Sequence, residues 1–510
     1  MPAAKNDKFW PKTWPWLLPA LALLAAVRLH GLSVAAFPDY DSVRNWLIVQ
    51  EIAGGNWQHL FHHASPGFFL LYAPVAALHP DFHVFLYLNA LLAVAAVGWL
   101  AAFVGRVDAL PSVVVALLAL VVGTSLLLTF SGRDFTISSA GLLAFVGLLQ
   151  AYYQRLGQPS RQTLLRAALW LAIGLLFQYR FLLVLPILAV FEGLQRDGLL
   201  WQRGNLLRVG VVLSAPYVLL GLVGWLMAGL PVYRWEAAYA GILFPSVANA
   251  AHRSGNFRLD LGYYPRFLWE FGSPLVWLGV LATPVFAWGS WVRTRPWTPA
   301  GYLSIWAGLF LAGMSLLLKA PRGLLFAEGL FTVLGVLALQ QGLQRVSLRQ
   351  SGSILVGLLL AAAGWNLYRL PQEIYRYAPT SYPQVVAWLR QHKVQRVAST
   401  VGMGVAPFAR PAGIEVYNVH TLAQLQEARR AGITYVLLDG YRLVTGVDEF
   451  TGLENNRKLA TFPEPMLTSS LLFLEHSEFT GATYAETLAR QQQAASAPAQ
   501  LTIMQLAPAN

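Results

Sequence analysis

Apolar runs of about 20 residues, the length that crosses a bilayer, recur along the chain, and this pattern leaves few folds open. They occupy residues 14–37, 82–104, 110–130, 135–153, 167–177, 181–194, 206–229, 273–292, 300–318, 324–343 and 354–368. They predict an α-helical polytopic membrane protein with about eleven transmembrane helices, the fifth and sixth short and broken. Of 510 residues, 12% are charged and 56% hydrophobic, about half the charge of a soluble domain. Cysteine is absent, which excludes disulfides, thiolate catalysis and thiolate metal sites. A formal net charge of +12 would suit nucleic acid, but its distribution argues against that partner. The basic residues, among them Lys12, Arg106, Arg155, Arg161, Arg166, Arg203 and Arg208, sit in short loops expected inside. The segment 38–81 has Arg44 as its only lysine or arginine and is expected outside. The first run reads as an uncleaved anchor with a cytoplasmic N-terminus, in a multi-pass inner or plasma membrane protein.

Composition changes after residue 370. Residues 382–392 and 421–431 predict helices, and 394–400 and 433–438 predict strands. Residues 371–480 are expected as a small extracytoplasmic α/β domain behind a transmembrane domain at 1–370. From 481 on, with the low-complexity stretch from Gln491, a flexible tail is expected.

Reactive side chains are scarce in such a chain, so the polar cluster at 38–66 draws attention. Asp39 and Asp41 are two apart, and in an extended segment they point to one side. Such a pair can hold one divalent ion, or one acid can act as general base. Helix capping is an equally good reading, because an amphipathic helix over 42–52 follows directly. That helix would lie along the membrane surface, with Trp46 and Trp57 at headgroup depth. His62 and His63 can ligate a metal or shuttle a proton, or simply belong to a histidine-rich loop. Cations interrupt or flank apolar runs on the outer side at Arg133-Asp134, Gln178-Tyr179-Arg180 and Lys319-Ala320-Pro321-Arg322. Singly each reads as a side chain snorkelling to headgroups; together they suggest an anion pocket, a phosphate in particular. The loop 231–272 carries His252, Arg253, Arg258 and many aromatics. It suits a sugar phosphate or an interfacial aromatic belt.

In this order the motifs resemble the GT-C superfamily of polyprenyl-phosphate-dependent glycosyltransferases, most of all the aminoarabinose-transferase and protein-mannosyltransferase group. The features are Asp39-Tyr40-Asp41 after the first span, Gly55-Asn56-Trp57, Ser65-Pro66-Gly67, Arg133-Asp134, Gln178-Tyr179-Arg180 and Lys319-x-Pro321-Arg322. The likeness covers residues 14–368. The acids here are separated by Tyr40 where the family has an adjacent pair, and position relative to Trp57 favours Asp41 over Asp39. A histidine pair stands where relatives carry an acid and a lysine.

The resemblance implies sugar transfer from a lipid-linked phosphate donor to an acceptor glycan, lipid or protein on the outer face. Asp41 or Asp39 would be the base. Arg133, Arg180, Arg253, Arg258, Lys319 and Arg322 would bind the lipid phosphate, and Asp41, His62 and His63 are the candidate ligands for a divalent metal ion. Two alternatives remain at this stage. An O-antigen ligase or polymerase would depend on Arg253 and His252 more than on Asp41. A lipid or sugar transporter would show matching broken helices in two halves, and no such internal match is present.

Overall fold

A computed structural model describes residues 9–79, 81–195, 197–243, 259–292, 297–317, 319–346, 350–455, 457–497 and 499–506. The helical part runs α1 (Phe9–Leu29), α2 (Tyr40–Ala53), α3 (Pro66–Leu78), α4 (His83–Val107), α5 (Ser112–Gly123), α6 (Leu126–Gly132), α7 (Ser138–Gly157), α8 (Arg161–Phe177) and α9 (Val184–Leu194). It continues with α10 (Arg203–Ala228), α11 (Arg234–Leu243), α12 (Tyr263–Phe271), α13 (Pro274–Val292), α14 (Pro299–Ser315), α15 (Leu325–Arg345) and α16 (Ser351–Glu373).

Among the described residues, four helices are long and apolar enough to cross a membrane: His83–Val107, Arg203–Ala228, Pro321–Arg345 and Ser351–Gln391. The bent pair α5 and α6, 68° apart, makes a fifth. The expected count of about eleven exceeds this; several of the apolar runs form helices of 17 residues or fewer, among them α8, α9 and α14. The run pair at 167–194 is one case: α8 ends at Phe177, a 3-10 turn spans Tyr179–Leu183, and α9 follows. Along α10 the side chains of Leu207, Leu219 and Leu226 are 70%, 62% and 72% exposed. So large an uncovered apolar face belongs against lipid rather than water.

Where a membrane helix breaks, its freed carbonyls need donors. Arg28, in the last turn of α1, meets that need at the α5–α6 bend. Its guanidinium donates to Gly123 O at 2.8 Å and to Leu128 O. Asn366 of α16 donates to Val121 O at 3.1 Å. Small residues let helices touch elsewhere: a Cβ on Gly279 of α13 would meet Phe331 O of α15 at 1.8 Å, so the two backbones cross in direct contact.

The C-terminal part contains α17 (Tyr382–Gln391), β1 (Arg396–Thr400), α18 (Ala406–Ala409), β2 (Glu415–Val419), α19 (Leu422–Arg430), β3 (Tyr435–Leu438) and α20 (Tyr441–Thr445). It closes with β4 (Lys458–Pro463), α21 (Ser470–Glu475), α22 (Ser477–Thr480), α23 (Tyr484–Ser496) and β5 (Gln500–Gln505). The sheet order is β2-β1-β3-β5-β4; β1 lies parallel to β2 and β3, and β5 antiparallel to β3 and β4. The flexible tail expected from 481 is therefore ordered over most of its length. β5 is an interior strand, with Leu501, Ile503 and Met504 fully buried. Its apolar alternation was masked by the polar, alanine-rich stretch before it.

Candidate active site

The two acids of the motif part company at the start of α2. Asp39 is extended, with φ −150° and ψ 169°, and its Oδ1 accepts from the Ser42 amide at 2.8 Å. It is the helix N-cap, so the capping reading applies to Asp39. Asp41 lies in the first helical turn, and the extended geometry that would align the pair does not exist. Burial, with Asp41 close by, pushes Asp39 up to about 6.

Asp41 points at Arg322, which stands in the 3-10 turn Pro321–Leu324 at the head of α15. Arg322 Nη1 donates to Asp41 Oδ2 at 3.0 Å. Burial would raise the Asp41 carboxyl, but Arg322, His63 and His476 outweigh it and hold the group below the ordinary range. His63 Nε2 lies 4.0 Å from Asp41 Oδ1. His63 is also one of the few non-glycine residues in the left-handed region, at φ 50°, a strained placement that costs of order 1 kcal/mol. His62, pushed down to about 2 by burial and by His63, has its Nε2 buried with no hydrogen-bond partner.

Two further carboxylates crowd Arg322, and both come from α21 and α22 of the C-terminal part. Arg322 Nη2 donates to Glu478 Oε1 at 2.5 Å, and its Nε is 3.0 Å from Glu475 Oε1. The Arg322 amide donates to Glu475 Oε2 at 3.0 Å. Burial raises Glu475 to about 7; for Glu478 Arg322 outweighs burial and lowers it. Arg180 Nη1 donates to Arg322 O at 2.8 Å, so the polar break after α8 reaches the same point. Glu475, His476 and Glu478 were not singled out in the sequence. Their signal was Glu-His-Ser-Glu, closing an apolar stretch.

The expected ring of cations is divided. Lys319 Nζ donates to Met314 O, Ser315 O and Leu317 O, which caps the C-terminal end of α14. Arg133 Nη1 donates to Arg28 O at 2.8 Å and His30 O at 2.7 Å, and its guanidinium lies 4.9 Å from the Tyr375 ring centre. With Asp39 and Asp134 it lines a separate cavity, roofed by Met466, Ser469 and Leu472. Arg253 and Arg258, with His252, lie outside the described residues. Among the described residues no group of three or more histidines and acids could hold a metal ion. Asp41, His62 and His63 do not make the ligand set expected of them, and no step below runs through a metal.

No family model matches the chain, and no curated protein matches it by sequence. Solved structures do match it in fold. ArnT from Cupriavidus metallidurans in the apo state aligns at TM-score 0.57 and 15% identity, over 87% of this chain and 95% of that one. ArnT from the same organism bound to undecaprenyl phosphate aligns at TM-score 0.53 and 13% identity, over 96% and 98%. The archaeal oligosaccharyltransferase AglB from Archaeoglobus fulgidus, in complex with an inhibitory peptide and a dolichol-phosphate, aligns at TM-score 0.54 and 11% identity, over 86% and 70%. Both are GT-C superfamily glycosyltransferases, and the chain has the GT-C fold.

Proposed function

We propose that this protein is a membrane glycosyltransferase that moves a sugar from a polyprenyl-phosphate carrier to a hydroxyl acceptor at the outer membrane face, with Asp41 as general base. The observation that carries the reading is the Asp41–Arg322 pair at 3.0 Å, where the first turn of α2 meets the head of α15. Solved structures of the same fold hold undecaprenyl phosphate and dolichol-phosphate.

A guanidinium suits a phosphate better than it suits a lone carboxylate, because it can meet two oxygens at once. Lipid phosphate arriving at Arg322 competes with Asp41, Glu475 and Glu478 for the same N–H groups. When Arg322 turns to the phosphate, Asp41 loses its main stabilising partner and becomes a stronger base. It then takes the acceptor hydroxyl proton as that oxygen attacks the anomeric carbon. The bond from that carbon to the phosphate oxygen breaks with inversion, and the lipid phosphate departs with one more negative charge. Arg322, with Arg180 beside it, stabilises that charge as it develops. In this reading residues 1–370 form the catalytic membrane domain, and 371–480 extend it on the outer side.

The test is mass spectrometry of lipids, glycans and proteins from cells with and without the gene. Loss of one sugar modification, restored by the wild-type gene and not by Asp41→Asn, supports the reading. Restoration by Asp41→Asn, with failure of Arg253→Ala, would instead indicate a ligase or polymerase. An unchanged set of glycans with altered lipid-linked sugar distribution would indicate a transporter.

A further inference from the structure

The acidic motif is gripped from its far side by the C-terminal domain. A helix N-terminus leaves its first amides without intrahelical partners. Asp39 serves the Ser42 amide, and the Tyr40 amide, first in α2, donates instead to the Tyr441 hydroxyl at 3.3 Å. Tyr441 is 1% exposed and opens α20. Its own amide donates to Asp439 Oδ1 at 2.9 Å, while Asp439 Oδ2 accepts from the Tyr382 hydroxyl at 2.8 Å. An amide can only donate, so the Tyr441 oxygen accepts from Tyr40, and it shares a second hydrogen bond with His476 Nε2, 2.7 Å away. Burial, with Arg322 close by, pushes His476 down to about 4 and keeps the ring neutral. His476 stands between Glu475 and Ser477, and Ser477 Oγ donates to Lys319 O at 2.8 Å. One buried bridge thus joins the first turn of α2 to the segment that brings Glu475 and Glu478 onto Arg322.

We propose that Tyr441, backed by His476, is a positioning residue: its hydroxyl pins the first amide of α2 and so holds the Asp41 carboxylate against Arg322. The inference rests on Asp41 acting as the base. Asp41 follows the pinned residue directly, so a loosened first turn carries its side chain away from the guanidinium. The charged and titratable groups acting on it are Arg322, His63 and His476, with Asp39 and Glu478 adjoining. Base placement is sensitive, since a shift of about 1 Å can cost about a hundredfold in rate.

The test uses the full chain in detergent and Tyr441→Phe, which keeps the ring. Loss of one neutral hydrogen bond is expected to speed deuterium exchange at the 40–43 amides about tenfold. The Asp41 carboxyl stretch, isolated by infrared difference against Asp41→Asn, is expected to titrate about one pH unit higher. Sugar transfer in complemented cells should fall about tenfold, with undecaprenyl phosphate affinity unchanged or raised, since Asp41 competes for the same guanidinium. His476→Ala, which removes the second polar partner of the Tyr441 hydroxyl together with a ring that itself acts on Asp41, should act in the same direction and serves if Tyr441→Phe does not fold. An unchanged carboxyl titration in a folded variant overturns the proposal, whatever the exchange shows. If Asp41→Asn cells still transfer sugar, the base assignment fails, and the infrared and exchange results still decide the bridge.

Discussion

Two arginines of this protein are surrounded by acids, and they differ in what the surroundings leave undone. Arg155 of α7 is fully buried, donating to Asp197 at 2.7 and 2.9 Å and to Glu192 at 3.1 Å. Its partners lie 42 and 37 residues on, and Tyr152 donates to the other Glu192 oxygen at 2.9 Å. Arg322 is 11% exposed and faces three acids, 281, 153 and 156 residues away. The first cluster ties neighbouring helices together. The second gathers one cation and surplus carboxylates from opposite ends of the chain. An ion pair with excess acid is an exchangeable one, and exchange is what a phosphate would exploit.

The largest expected effect separates the two clusters. Asp41→Asn should lower sugar transfer by about a thousandfold, the usual scale for a general base, with only a small fall in unfolding temperature, since Glu475 and Glu478 still face Arg322. Next, Arg155→Met should leave the buried Glu192 without its cation and cost about 3 kcal/mol, read as a lowered unfolding temperature in detergent and low yield. Arg322→Lys should fold, because a cation still faces the acids, and should bind undecaprenyl phosphate about tenfold more weakly for want of a second N–H. If Arg322→Lys destabilises as much as Arg155→Met and binds normally, the contrast fails.

The fourth test is pH. Glu475 is raised from an ordinary 4.5 to about 7. In that window the folded chain holds a proton that the unfolded chain has released. Its contribution to stability is therefore present below 4.5 and lost as pH rises through about 7. Glu475→Gln should flatten that decline in melting temperature against pH. Asp41, held low, acts in the opposite sense, stabilising above its ordinary range and losing that contribution only in strong acid. The smallest effect belongs to the cap. Asp39→Ala should cost about 1 kcal/mol, and Asp39→Asn almost nothing, since asparagine caps as well.

Much of this was legible in one dimension. The helix expected at 42–52 is α2, although it packs into the core with Trp46 4% exposed rather than lying at a surface, and the strands expected at 394–400 and 433–438 are β1 and β3. Arg180, Arg322 and Asp41 stood out because charge at the outer end of an apolar run needs a reason. Lys319 and Arg133 looked the same in sequence. They differ because each lies beside a helix end whose carbonyls take its N–H groups. Asp39 and Asp41 were inseparable on paper, since only the backbone angles decide which one caps. Glu475, His476 and Glu478 read as part of a separate domain, because no local pattern reports a partner 150 residues away.

By itself the sequence determined that this chain belongs in a membrane, since hydrophobic length is a property of consecutive residues and the bilayer reads it directly. It determined too where charge would be costly enough to matter. Only the tertiary structure decided which charges meet. Burial multiplies the strength of an ion pair and the penalty of a missing one, so the arrangement around Arg322 depends on three distant segments arriving together. That convergence turns one acid of the motif into a helix cap and leaves the other facing the guanidinium.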